Sequence, residues 1–286
     1  MTVLALVIGI SNLLVGTAYV GLGLLSAWEA ASQYRYRGLS RFGLGFSLMA
    51  ASCGPHHLVH GWCVLEGAPV TTPMLAVTLI GLPAGIVFCC LRAEAMLNGR
   101  GDRTVAVNGP VMAGVAIALL VVVSSLAGWA LAAPAAPYAD ICTTTTAQGL
   151  QSWLAPAPGT GLDAAALVSF SNLWVTFAYA MVGWYMVDTQ IRRYVSTHSW
   201  SLSGLALSAV FPSCAAMHLI MALTRSPEVS TLPFDLIGVP ASVYFLWVVK
   251  QLHANSAIDW NRRPLAGLAA APHRSSPWSE VTSTER

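Results

Sequence analysis

Cysteine thiols and histidine imidazoles are among the side chains best suited to holding a soft or borderline metal ion, and this chain puts them together twice. "SCGPHHLVHGW" at 52–62 and "SCAAMHLIMAL" at 213–223 each carry a histidine four residues after a cysteine. In a helix that spacing stacks the pair on one face, Cys53 over His57 and Cys214 over His218. A lone buried cysteine is usually a small hydrophobe, and a lone membrane histidine usually satisfies a neighbour, so the duplication is what carries a metal reading. Thiolate with imidazole in an apolar, water-poor setting suits Cu(I) better than zinc, which normally takes four strong ligands.

The elements that must position these residues are membrane helices. Hydrophobic residues make up 56% of the 286 and charged residues 9%, and several apolar runs are long enough to cross a bilayer. The runs predict an all-α integral membrane protein with seven transmembrane helices, at about 3–27, 40–63, 73–96, 105–132, 165–187, 201–223 and 232–252. Thirteen of the fourteen Lys and Arg follow the first, third, fifth and seventh spans and only Arg225 falls on the other face, which places the N-terminus outside and the C-terminus in the cytoplasm. The first span has no basic residue before it and is too long for a secretion-signal core, so it counts as a helix.

Internal repetition organises the spans. "ISNLLVGTAY" at 10–19 returns as "FSNLWVTFAY" at 170–179, "SCGPHHL" as "SCAAMHL", and "LIGLPA" at 79–84 as "LIGVPA" at 236–241. Order and spacing of three helices are thus preserved. The chain divides into a first three-helix repeat at 1–97, a linker transmembrane helix within 98–133, an outer loop at 134–164, a second repeat at 165–253 and a disordered cytoplasmic tail at 254–286. The fourth span returns the chain to the outside, so the two repeats run parallel about a pseudo-two-fold axis along the membrane normal. Within each repeat the first span offers a second pair on one face: Asn12 with Tyr19, and Asn172 with Tyr179. At about 1.5 Å per residue, Asn12 and Cys53 reach similar depths below the outer membrane face, so they can line one cofactor site.

"ISNLLVGTAY" followed by "SCGPHHLVHGW" resembles the ethylene-binding transmembrane domain of plant and bacterial ethylene receptors. The resemblance covers about 8–97 and, more weakly, 168–253. It implies a three-helix module whose second helix ligates Cu(I), so Cys53 and His57 match its copper ligands and Tyr19 its first-helix tyrosine. Cys214, His218 and Tyr179 follow through the internal repeat. Asn12 and Asn172 stand where the family has an aspartate, its third-helix lysine is missing here, and Ala215-Ala216 replace Gly54-Pro55 in the second copy. The resemblance implies a sensor of a small unsaturated ligand such as ethylene in a bacterial plasma membrane. Any signalling or copper-donor protein would be a separate partner, because no histidine-kinase output is attached.

Two other classes compete with the sensor: a copper-storage or copper-transfer protein using His56 and His60 as shallower ligands, and a b-type haem cytochrome with His57 and His218 as axial ligands. The 254–286 tail carries no kinase, nucleotide or nucleic-acid signature, and the sequence leaves open whether the chain is an enzyme, with a non-enzyme the favoured reading. A retinal protein is excluded by its chemistry, since the single lysine, Lys250, lies at the end of the last span. Met49, Met217 and Met221 are expected to pack, Cys89 and Cys90 to be inert, and His60 to be solvated near the outer surface. Asp235 is expected to pair with Arg225 or a snorkelling group, "GLQSWL" at 149–154 to be a packed connecting loop, and Cys63 and Cys142 are candidates for a bridge on the oxidising side.

Overall fold

A computed structural model describes residues 3–68, 70, 72–97, 99–132, 164–223 and 229–254. Among them are seven α-helices: α1 (Val3–Arg37), α2 (Arg41–Glu66), α3 (Thr72–Met96), α4 (Gly109–Ala132), α5 (Ala164–Thr197), α6 (Leu202–Leu223) and α7 (Leu232–Ala254). Long apolar runs leave the backbone no solvent partner in a bilayer, and the helix satisfies each amide and carbonyl within its own segment. Pro55, Pro83, Pro212 and Pro240 lie inside α2, α3, α6 and α7, where packing against neighbouring helices tolerates the lost hydrogen bond. The start of α2 is fixed by Ser40, whose hydroxyl accepts from the Gly43 amide at 3.1 Å, and its end by Gly67 in the left-handed conformation.

Five helices, α1, α3, α5, α6 and α7, are long and apolar enough to span a membrane. The other two fall short for different reasons. α2 is 26 residues long but carries His56, His57 and His60, which lower its mean hydropathy and are all buried in the bundle. α4 is apolar over a shorter described stretch, Gly109–Val122, and its side chains are mostly exposed. The expected spans match the helices except that α1 and α5 continue well past 27 and 187, ending at Arg37 and Thr197. These polar extensions stay helical because they find partners: Glu29 of α1 pairs with Arg92 of α3, and Asp188 of α5 with Arg192 and His253.

Packing partners recur between the two halves. α1 packs on α2 and α3, and α5 packs on α6 and α7, while α3 lies against α6 and α7 against α2. The last two contacts are made alike: Gly81 sits over Ser213, and Gly238 over Ser52. Below these contacts a shared apolar core holds Phe46, Tyr179, Phe211 and Phe245. A two-residue antiparallel pairing, Thr104–Val105 with Trp200–Ser201, joins the connections α3–α4 and α5–α6. Asp102 fastens it by accepting from the Ser201 hydroxyl and the Ser203 amide.

Small residues along the second and sixth spans, Gly43, Gly45, Ala50, Ala51, Gly204, Ala206, Ala209 and Ala215, read in the sequence as a close contact between those two helices, and they do not bring them together. Gly45 packs on Tyr244 and Phe245 of α7, and Gly204 on Gln190 of α5. α2 and α6 meet through long side chains instead, across the space that holds the cysteines and histidines. The loop at 134–164 beyond its last residue's helix start, including "GLQSWL", lies outside the described residues, as do the tail from 255 and Arg225.

Candidate metal centre

A close crossing of α1 and α2 sets the first histidine. Gly16 of α1 faces the Gly54 carbonyl of α2, and Gly61 of α2 faces the Gly9 carbonyl of α1; an added Cβ at either Gly16 or Gly61 would fall 2.8 Å from that oxygen. Such small-residue contacts let membrane helices approach backbone to backbone. Asn12 lies between the two α1 glycines and His57 between the two α2 glycines, so the crossing presses these side chains together. The Asn12 side-chain nitrogen donates to the Ile8 carbonyl at 2.9 Å, which turns its oxygen toward His57 Nδ1, 2.8 Å away.

That orientation fixes the imidazole. The oxygen can only accept, so His57 carries its proton on Nδ1, and its Nε2 keeps a lone pair. His57 Nε2 is buried with no hydrogen-bond partner. The second repeat makes the same arrangement: Asn172 donates to the Val168 carbonyl at 2.9 Å, accepts from His218 Nδ1 at 2.5 Å, and leaves His218 Nε2 buried and unpartnered. A buried acceptor without a donor is costly in a folded protein. An imidazole whose Nδ1–H is held by an oxygen, with Nε2 unused, is the usual posture of a metal-ligating histidine.

The thiols complete one group. Ligand atoms of Cys53, His57 and Cys214 all lie within 4.8 Å of one another, and all three residues are buried. Both cysteines are free thiols. Tyr19 crosses from the first repeat to the second, with its hydroxyl 3.5 Å from Cys214 Sγ and its ring edge-on to His57 at 5.5 Å. Tyr179 takes the matching place against His218, with ring centroids 5.8 Å apart. Two cavities flank the thiols: one touches Asn12, Tyr19, His57 and Cys214, and an apolar one touches Phe46, Cys53, Phe88 and Tyr179.

Of the four expected metal ligands, three therefore converge and the fourth lies elsewhere. His218 belongs to a second buried group with His56 and Asp235. Asp235 was expected to pair with Arg225, which lies outside the described residues, or with a snorkelling group; among the described residues its partner is His56, at 2.7 Å to Nδ1, and its other oxygen accepts from Thr231 at 2.8 Å and Asn172 at 3.2 Å. The aspartate is taken inward because it starts α7 beside α2, where three donors offset its burial. His60 was expected near solvent and is buried, 3% exposed. A sequence signal for His56 and Asp235 did exist: both lack a counterpart of the same type in the other repeat, Met217 and Thr78 standing there.

Met49, Met217 and Met221 are buried in packing clusters as expected, although Met221 also touches His56. Cys89 is half-buried with its thiol 3.7 Å from the Ala18 carbonyl, and Cys90 is exposed; neither joins a metal-capable group among the described residues. Cys63 is disulfide-bonded, and Cys142, its expected partner, lies outside the described residues. Comparison with family models, with curated proteins and with solved structures finds no match to this chain, so the functional reading rests on the site itself.

Proposed function

We propose that the chain is a Cu(I)-binding membrane protein that holds the ion through Cys53, His57 and Cys214 and receives a small unsaturated ligand such as ethylene at it. One observation carries this reading: an unpartnered, buried His57 Nε2 grouped with two free thiols from different repeats. Two soft sulfur donors with one imidazole fit Cu(I), whose filled d orbitals donate into the π* orbital of an olefin. Three protein donors leave room for a fourth, and a cavity lies on either side of the thiols, one of them apolar.

The resemblance to ethylene-receptor domains supports the same reading and so does the recurrence of packing between halves, which fits two parallel three-helix repeats joined by α4 and acting as a pseudo-dimer. Cys63 in a disulfide agrees with the arginine distribution in putting the end of α2 on an oxidising, outer side. The haem alternative is disfavoured by crowding: the His56 ring centroid is 6.1 Å from that of His57 and 4.9 Å from that of His218, leaving no slot for a porphyrin between them.

The test is metal analysis of purified protein loaded with Cu(I) in the presence of a competing chelator, with and without ethylene. Loss of thiolate-bound copper in the Cys53→Ser, Cys214→Ser double variant, and of labelled-ethylene retention with it, is the expected result. Unchanged thiolate-to-copper absorption in that variant would overturn the assignment.

A further inference from the structure

The second buried group has its own ligand logic. Asp235 occupies His56 Nδ1 and Asn172 occupies His218 Nδ1, so an oxygen holds the same nitrogen of both rings and turns each Nε2 to the far side. His56 Nε2 lies 3.2 Å from Met221 Sδ, close enough for the two atoms to share one ion. His218 Nε2 is buried and unpartnered, and the two rings are 4.9 Å apart between centroids. A carboxylate or amide oxygen behind each imidazole fixes its tautomer, as in second-layer support of metal-binding histidines.

From this geometry we infer that His56, His218 and Met221 form a second Cu(I) site, with Asp235 and Asn172 as positioning residues. Two imidazoles and a thioether make a soft, uncharged donor set, which selects Cu(I) over hard divalent ions. The set lies toward the end of α2 and the start of α7 relative to the thiols, one helical turn from Cys214 along α6. His218 thus stands between the two ligand sets. A Cu(I) ion arriving from that face meets neutral ligands first and can pass from His218 to the thiols by ligand exchange, with no change of oxidation state. The inference shares with the thiol-site reading only the identity of the ion.

The experiment loads detergent-purified full chain with Cu(I) against a graded chelator and measures copper per chain together with X-ray absorption at the copper edge. Wild type is expected to hold two ions, the Cys53→Ser, Cys214→Ser variant one ion with nitrogen and thioether neighbours, and Met221→Leu one ion with thiolate neighbours. Met221→Leu nearly conserves volume and leaves the His56–Asp235 pair in place, so it guards against a folding failure. Wild type holding a single thiolate-bound ion, or Met221→Leu retaining both ions at unchanged affinity, overturns the second site while leaving the thiol site standing. Copper sensitive to Met221→Leu but not to the cysteine changes would do the reverse.

Discussion

Asn12 and His57 are held 2.8 Å apart by a glycine crossing, with the amide oriented by a carbonyl on its far side. This makes the asparagine a positioning residue for the imidazole rather than a ligand. Asn12→Leu should release the ring and weaken Cu(I) binding at the thiol site by about 10- to 100-fold, the usual cost of losing such support. Asn12→Asp keeps an acceptor in place and should retain binding. Chelator competition on the two variants checks both outcomes, and equal loss in both would mean that the oxygen does not orient the ring.

The glycine crossing is itself testable. Gly61→Ala puts a methyl 2.8 Å from the Gly9 carbonyl oxygen, and backbone atoms cannot give way as a side-chain tip can. A destabilisation of about 1–3 kcal/mol is expected from such overpacking, together with weakened copper binding as α1 and α2 separate. Gly21→Ala is the control, because nothing lies within 4 Å of its added Cβ; it should be neutral or stabilise by up to about 1 kcal/mol. Thermal unfolding in detergent separates the two.

Much of this was legible in the sequence. Hydrophobic run length located five of the seven helices, and the starts of α1 and α5, to within a few residues, because in a bilayer length and apolarity nearly determine a span. The Cys-His spacing and its repeat named Cys53, His57, Cys214 and His218, of which the first three fall in one group, and equal depth set Asn12 level with Cys53, one turn from the His57 it touches. What escaped were contacts between repeats. The partner of Asp235 depends on which helix α7 lies against, and the sequence offered Arg225 as the nearer cation. The small residues of α2 and α6 do mark close packing, but a stripe of glycines does not name its neighbour, and Gly45 and Gly204 serve α7 and α5. The extensions of α1 and α5 beyond the bilayer run through polar residues that hydropathy discards.

Asp235 should be a sensitive position. Its carboxylate accepts from His56, Thr231 and Asn172 while only 1% exposed. Asp235→Leu strands three buried donors, and a buried donor left unsatisfied typically costs about 1–3 kcal/mol. Asp235→Asn preserves shape and part of the hydrogen bonding, so its unfolding midpoint should fall between those of wild type and Asp235→Leu. A leucine variant as stable as wild type would show that the His56–Asp235 contact is not formed.

The contacts of α3 with α6 and of α7 with α2 predict where the halves can be stapled. A Cβ built on Gly81 lies 3.6 Å from the Ser213 Cβ, and one on Gly238 lies 3.7 Å from the Ser52 Cβ. Both separations fall in the range of about 3.5–4.5 Å that disulfides occupy. In a Cys53→Ser, Cys214→Ser background, which removes the nearby thiols, the pairs Gly81→Cys with Ser213→Cys and Gly238→Cys with Ser52→Cys should each oxidise within one chain. Intact mass and a non-reducing peptide map read the bond, and electrophoresis without reductant tells intrachain from interchain products. Formation of both bonds in the monomer band is the outcome required if the two halves pack on each other inside a single polypeptide. Bonds found only between chains would place α6 and α7 of one molecule against α3 and α2 of another, and the thiol site would then have to be assembled from two copies.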